Sequence, residues 1–148
     1  MDIIMMRKDH PLWRKTAAFA RACSWRAGPY LADRMDRGEF TDRERVIACL
    51  DGGQVAGFCT FSEKDSLPVG DPRTPFIGFV FVDEAHRGMR LSQKMIDRAC
   101  LHAAELGYDA VHIVSGEQGL YEKYGFQKTG DIKTVYGTLE QLFRRNLI

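Results

Sequence analysis

The sequence lacks the cysteine and histidine spacing that metal sites require. No Cys-x-x-Cys pair is present, and no histidine clusters with a cysteine at ligand spacing, so we expect no metal site. The residues concerned are Cys23, Cys49, Cys59 and Cys100, with His10, His86, His102 and His112. Unpaired cysteines without a signal peptide are typical of a reducing compartment, and we expect a cytoplasmic protein.

The sequence also lacks an excess of charge and a long apolar run. Its 21 Lys and Arg residues nearly balance its 20 Asp and Glu residues, which gives a formal net charge of +1. Nucleic-acid-binding proteins usually carry a marked basic excess, so we expect no nucleic-acid partner. No segment approaches the roughly 20 apolar residues of a membrane span, so we expect no membrane partner. Without repeats or low-complexity segments, the length predicts one domain, residues 1–148.

The hydrophobic pattern predicts an α+β fold. Two helices are expected within the first forty residues, and two strands in RVIACLDGGQVAGFCTFSE, joined by a hairpin at Asp51-Gly52-Gly53. The nearly continuous apolar run PFIGFVFVD predicts a strand buried on both faces. A helix is expected from Leu91 to Gly107, then a strand at 109–114, a short helix in GLYEKYGF and weaker strand signals. This order predicts a mixed sheet with helices on its faces.

The stretch HRGMRLSQKM connects the buried strand to the helix that follows it. If that helix begins between Gly88 and Leu91, its first backbone N–H groups lack intrahelical partners and point outward at the positive end of the helix dipole. An anion such as a phosphate would bind there. Arg87 and Arg90 would add charge-assisted hydrogen bonds. A solvated basic turn is the alternative.

A second segment, GLYEKYGF, follows one strand later. The pair formed by VFVDEAHRGMRLS and GLYEKYGF resembles the GNAT superfamily of acetyl-CoA-dependent N-acetyltransferases. At the turn the family pattern is Arg/Gln-x-x-Gly-x-Gly/Ala. Here Arg87 matches, Arg90 replaces the usual glycine, and Ser92 replaces the small final residue. Tyr121, four residues before Gly125, matches the second motif, and the order of elements matches over nearly the whole chain.

The resemblance implies a specific architecture and an acetyl-CoA site. The fold would be GNAT-like, with a mixed, mostly antiparallel sheet, a splayed central strand pair at Phe76–Val82 and 109–114, and helices on both faces. Acetyl-CoA would lie in the splay, with its pantetheine paired to the backbone of Phe81 and Val82. A backbone N–H near Val82 would stabilise the developing oxyanion. The resemblance places the pyrophosphate on the backbone of Arg87, Gly88, Met89, Arg90, Leu91 and Ser92.

The resemblance also implies the reaction, which is attack of an amine on the thioester. Tyr121 would act as the general acid toward the departing thiolate. A protonated amine with a pKa of about 10 is not a nucleophile, so a proton must be removed first. The base stays open among Glu63, Asp65, Glu84, His112 and ordered water.

The acceptor is the least constrained part of the prediction. A small-molecule or peptide amine is expected, beside Trp25, Arg26, Tyr30 and the loop SLPVGDPRTPF. Trp25 packed on the core, with Arg26 at the surface, is the alternative. A homodimer is a fair expectation for this family.

Two other functions stay open at this point. One is a silent CoA-binding sensor, because a side chain at Arg90 would be able to obstruct the phosphates. The other is an interaction domain that uses the segment 139–148. For an enzyme, we predict that Arg90 turns its side chain outward and adds charge beside the phosphates without blocking the N–H groups.

Overall fold

The computed structural model describes residues 1–147. Its strands are β1 (Asp2–Met6), β2 (Arg45–Asp51), β3 (Gln54–Ser62), β4 (Phe76–Val82), β5 (Ala110–Ser115), β6 (Gln127–Lys133) and β7 (Leu139–Asn146). Its α-helices are α1 (Trp13–Ala22), α2 (Gly28–Asp36) and α3 (Leu91–Glu105). Short 3₁₀ turns lie at Glu84–His86 and Tyr121–Tyr124.

The strands form one sheet in the order β1-β2-β3-β4-β5-β7-β6. Every neighbouring pair is antiparallel except β4 and β5, which are parallel. The predicted mixed, mostly antiparallel sheet is therefore confirmed. The β4–β5 pair has a single register match, Phe76 with His112, beside a bond from the His112 N–H to the Pro75 carbonyl at 3.0 Å. Beyond that point the two strands are not paired, which confirms the predicted splay.

Helices cover both faces of the sheet, as predicted, because the inner strands alternate their side chains between two cores. In β2, Ile47 and Cys49 join the cluster that includes α3, whereas Val46 and Ala48 join the cluster that includes α1 and α2. Successive strand residues point to opposite faces, so a strand covered on both sides is apolar throughout. The continuous apolar runs in the sequence follow from this double covering.

The two edge strands are the elements that the sequence pattern marks least. No strand was predicted before the first helix, yet Asp2–Met6 pairs with β2 as an edge strand. Five residues are too few to show helical or strand periodicity. The other edge, β6, is polar and largely exposed, so it carries little hydrophobic signal, and pairing with β7 defines it.

Two segments near the C-terminus also differ from expectation. The short helix predicted in GLYEKYGF is a single 3₁₀ turn at Tyr121–Tyr124. The segment 139–148, considered as a free interaction surface, contains β7, which lies between β5 and β6 inside the sheet. Its last residue, Ile148, lies outside the described residues.

Candidate active site

A large cleft opens where β4 and β5 diverge. Its volume is about 1980 Å³. The C-terminal half of β4 forms one wall, and the end of β5 with Tyr121 forms the other. The connection between α1 and α2 and the loop between β3 and β4 border the same space. Because β5 has moved away, the backbone groups of β4 that face away from β3 have no strand partner there, so an extended ligand can pair with them.

A bulge interrupts β4 inside this cleft. Phe58 pairs with Phe81, but Thr60 pairs with Gly78, so β4 carries one more residue than β3 over this interval. Phe79 takes a φ of 49°, which costs a non-glycine residue about 1–3 kcal/mol. A bulge leaves the extra residue outside the ladder. The bulge in β4 therefore presents the backbone polar groups of Phe79 and Val80 to the splay.

The turn after β4 leads into an uncapped helix. Gly88 has a φ of 84° and Arg90 a φ of 56°, both in the left-handed region. Arg90 is the N-cap of α3 but gives no side-chain capping bond, and the first turn of α3 has no acidic residue. Leu91 is 2% exposed and anchors the helix start in the core. The first N–H groups of a 15-residue helix thus stay free of side-chain caps at the mouth of the cleft.

Two of the residues predicted to lie beside the phosphates, Arg87 and Ser92, have contacts of their own. The Arg87 Nε donates to the Val82 carbonyl at 3.1 Å, and its guanidinium lies 5.8 Å from the centre of the Phe81 ring. The Ser92 and Tyr124 hydroxyls are 2.7 Å apart. Arg87 and Ser92 line the cleft. Met89, 47% exposed, stands at the surface of the turn.

Tyr121 is buried in the wall opposite β4. It packs against Phe126 and Phe143, with ring centroids 6.2 Å and 5.6 Å away. It is 5% exposed, yet it lines the cleft. Burial raises the pKa of its hydroxyl to about 12, and the nearby Ser115 hydroxyl opposes that rise. The hydroxyl is therefore protonated throughout the neutral range, where it can only donate to an anion.

Trp25 forms part of an aromatic wall that closes one side of the cleft. Its ring lies parallel to Phe81, at 6.0 Å and 4°, and stacks on Phe58 at 6.3 Å. It is partly exposed and lines the cleft, as does Tyr30 at the rim. The two interpretations of Trp25 thus coexist, since it packs on the core and faces the cleft. Arg26 is exposed and is not among the residues that line the cleft.

Sequence comparison identifies the family to which this geometry belongs. The family model for the acetyltransferase (GNAT) family matches residues 10–126.

The chain belongs to the GNAT acetyltransferase family.

Solved structures agree on the GNAT fold. An aminoglycoside 6'-acetyltransferase type Ii has a TM-score of 0.77 at 13% identity, covering 100% of this chain and 98% of that one. An aminoglycoside 6'-N-acetyltransferase complexed with coenzyme A has a TM-score of 0.74 at 12% identity, with the same coverage. A Salmonella typhimurium protein solved with acetyl-CoA as its cofactor has a TM-score of 0.67 at 19% identity, covering 100% and 94%. No curated protein matches the sequence. At identities this low, the structural likeness establishes the fold alone. Acetyl-CoA is the cosubstrate of the GNAT family.

The four candidate bases occupy different surroundings in this GNAT cleft. Glu84 lies in the turn between β4 and α3 and accepts from the Ser24 hydroxyl at 3.0 Å. Glu63 approaches Arg43, with 3.9 Å between Oε1 and Nε. His112 is half-buried at the closed end of the splay, with its Nδ1 3.3 Å from the Pro75 carbonyl; burial lowers its pKa. Asp65 lies on the cleft side of the loop after β3.

The sequence alone did not identify one group of residues in the cleft. The buried Glu44 carboxylate accepts from Arg34 at 3.2 Å and from the backbone N–H groups of Thr41 at 2.9 Å and Glu63 at 2.8 Å. Arg34 also donates to the Ser62 hydroxyl at 3.2 Å. The network ties α2 to the ends of β2 and β3. No local motif marks it, because its members are distant in sequence.

Two further features are absent from residues 1–147. No group of three or more His, Cys, Asp or Glu side chains in that range is arranged to hold a metal ion. None of the helices in the same range is long and apolar enough to cross a membrane.

Proposed function

We propose that this protein transfers the acetyl group of acetyl-CoA to an amine of a small molecule or peptide by direct attack. One observation carries the proposal: the splayed strands, the uncapped start of α3 and the buried hydroxyl of Tyr121 all border a single cleft. Each feature meets a different requirement of the reaction. The splay would be a channel for the pantetheine arm, the start of α3 a site for the phosphates, and Tyr121 a hydrogen-bond donor to the leaving sulfur.

The residues around the turn fit the phosphates of acetyl-CoA. Space around Gly88 is open, with no atom within 4 Å of where a Cβ would lie, so phosphate oxygens can approach its backbone. The N–H groups of residues 88–92 would donate to the pyrophosphate, and the Arg87 N–H would join them by leaving the Glu84 carbonyl, 3.4 Å away. Arg87 would exchange its bond to the Val82 carbonyl for a charge-assisted bond to phosphate, which frees that carbonyl for the pantetheine amide.

The bulge supports a position for the thioester along β4. A pantetheine arm paired with Phe81 and Val82 runs from the phosphates back toward Phe79. The unpaired backbone at Phe79 and Val80 would then face the thioester oxygen. A preorganised N–H donor at that point stabilises the oxyanion and typically contributes a factor of about 10²–10³ to the rate. In this proposal the donor would lie slightly before the N–H near Val82 that was first expected.

Tyr121 supports transfer rather than binding alone. A CoA thiolate, with a thiol pKa of roughly 8.5, leaves more readily beside a hydrogen-bond donor. The raised pKa of Tyr121 keeps that donor protonated. A sensor that only holds CoA has no use for such a group, and nothing in the comparisons supports that alternative.

The acceptor and the cellular setting belong to the proposal as well. The aromatic wall around Trp25 and Tyr30 would receive the carbon skeleton of the amine. Two of the similar structures are aminoglycoside acetyltransferases, so amino sugars are sensible first acceptors. All four cysteines are free, which supports a reducing compartment such as the cytoplasm.

The test is release of free thiol from acetyl-CoA with a panel of amines. The panel would contain aminoglycosides, aliphatic diamines, arylalkylamines and peptides with a free amino terminus, with CoA affinity measured in parallel by calorimetry. We expect amine-dependent thiol release with at least one class. Tight CoA binding without turnover on any amine would favour the sensor, and absence of CoA binding would exclude both functions.

A further inference from the structure

The Asp65 carboxylate lies directly beside the bulge of β4. Its Oδ2 is 3.0 Å from the position that a Cβ would take on Gly78, the residue immediately before Phe79. The Thr60 hydroxyl approaches the same position at 3.4 Å. A carboxylate can occupy this place only because residue 78 has no side chain. The absence of a side chain at Gly78 thus makes room for an acid next to the proposed site of the thioester.

Backbone bonds hold this carboxylate in place. Its Oδ1 accepts from the Ser66 N–H at 2.6 Å. The Ser66 carbonyl in turn accepts from the Val135 N–H at 2.8 Å, which joins the loop after β3 to the turn between β6 and β7. The N–H and the carbonyl of Ser66 are therefore both hydrogen-bonded. Because Oδ1 of Asp65 faces the Ser66 N–H, the other carboxylate oxygen, Oδ2, stays on the cleft side.

The surroundings of the carboxylate suit a proton acceptor. Asp65 is exposed as a whole residue, but its Oδ1 lies against the Ser66 N–H and its Oδ2 against Gly78, and desolvation raises the pKa of the carboxyl above the ordinary value. Bonds from Ser66 and the charge of Arg34 on α2 oppose that rise. Other charged residues also line the cleft: Glu63, Lys64, Asp71 and Arg73 on the segment after β3, Glu44 before β2, Glu84 and Arg87 after β4, Glu117 after β5, and Glu140 on β7.

We propose that Asp65 receives the acceptor amine, binding its ammonium group beside the thioester and taking the proton that must leave before nitrogen attacks. The inference rests on the proposed acetyl transfer and names the residue that prepares the nucleophile. Glu63 and Glu84 are turned to other partners, and His112 lies at the closed end of the splay, whereas Asp65 borders the bulge.

The proton balance of the step is complete. One ammonium N–H bond breaks, and an O–H bond forms on Asp65. The freed electron pair of nitrogen forms the C–N bond, and the C–S bond breaks with its electrons on sulfur. The sulfur takes the second proton released by nitrogen, while the Tyr121 hydroxyl donates a hydrogen bond to it. Asp65 returns its proton to solvent, so ammonium and acetyl-CoA yield amide, CoA and one proton.

Two substitutions test separately whether the Asp65 carboxylate is needed and whether its position matters. Asp65→Asn removes the proton acceptor at nearly constant shape. Gly78→Ala keeps Asp65, but its Cβ would meet Oδ2 at 3.0 Å and displace the carboxylate by a few tenths of an ångström. Matched controls lie on β6, outside the cleft: Asp131→Asn at an exposed ion pair, and Gly130→Ala, which has open space around it.

The experiment measures kcat/KM for a primary amine between pH 6.5 and 10, with acetyl-CoA affinity in parallel. We expect Asp65→Asn to lower kcat/KM about 10²–10³-fold at neutral pH and to leave acetyl-CoA affinity within twofold. The defect should shrink toward pH 10, because solvent then deprotonates the amine without help. Gly78→Ala should cost about tenfold, since small misplacements of catalytic groups are costly, and both controls should match the unchanged protein.

The outcomes separate this inference from the proposed function. An active protein whose Asp65→Asn variant keeps its rate within about threefold, or shows an equal defect at every pH, would overturn the role of Asp65 alone. If Asp65→Asn does not fold, an unchanged rate in Gly78→Ala would overturn it. An unchanged protein that transfers acetyl to no amine would overturn the proposed function and the role of Asp65 together.

Discussion

Arg90 offers the sharpest test of the phosphate site, because two substitutions there separate backbone strain from charge. Arg90 is exposed, has a φ of 56° and forms no ion pair with a residue in the described chain 1–147. Both Arg90→Gly and Arg90→Ala remove the guanidinium. Only Arg90→Gly removes the Cβ that makes the left-handed conformation costly.

The magnitudes follow from the backbone. Holding a non-glycine residue in the left-handed region costs about 1–2 kcal/mol, and glycine loses about 0.5–1 kcal/mol more chain entropy on folding than alanine. The free energy of unfolding of Arg90→Gly should therefore be about 0.5–1 kcal/mol larger than that of Arg90→Ala. For a chain of this size that difference raises the melting temperature by about 1–4 °C. Losing an exposed charge beside a phosphate costs about 0.3–1 kcal/mol, which weakens CoA binding about two- to fivefold in both variants.

Thermal melts and calorimetric titration with CoA, at low and high salt, measure the two effects separately. We expect the loss of affinity to be equal in the two variants and to diminish at high salt, because salt screens an exposed charge. Equal melting temperatures for the two variants would refute the argument from strain. Much tighter CoA binding by Arg90→Gly would show that the Arg90 side chain obstructs the site.

Four further predictions test the rest of the chain. Tyr121→Phe should lower kcat about 10²-fold or more with acetyl-CoA affinity unchanged, and unchanged turnover would remove Tyr121 from the mechanism. Because burial raises the pKa of Tyr121 to about 12, its ionisation should cause no alkaline fall in rate below pH 10. Trp25→Ala should raise the acceptor KM about tenfold through loss of about 1–1.5 kcal/mol of aromatic contact, and a normal KM would contradict its place in the acceptor wall. Glu44→Gln should lower the free energy of unfolding by about 1.5–3 kcal/mol, because it removes the negative charge from the hydrogen bonds that Glu44 accepts from Arg34 and the backbone. Glu105→Gln at the surface should change it by less than about 0.5 kcal/mol in urea titrations. Burial lowers the pKa of His102, so the folded protein holds a neutral imidazole there, whereas the unfolded chain takes up a proton below about pH 6.5. The free energy of unfolding should therefore fall as the pH drops through that value. His102→Gln should make the free energy of unfolding less dependent on pH.

The sequence determined the features that depend on neighbouring residues. The turn that contains Arg87 and Gly88 precedes a helix that begins at Leu91, as its pattern predicted. The apolar run of β4 marked a strand covered on both faces. The tyrosine of GLYEKYGF borders the same cleft as that turn. Such signals are local, because hydrophobic spacing, turn residues and short motifs act within a few positions.

Only the tertiary structure decided how these pieces meet. The edge strands β1 and β6 exist because β2 and β7 pair with them, although their own residues give little signal. The left-handed backbone of Phe79 comes from a mismatch in register between β3 and β4. Asp65 was one of several acids in the sequence, and it borders the bulge because the loop after β3 returns over Gly78. Strand pairing and loop closure join residues far apart in the chain, so no local pattern encodes them.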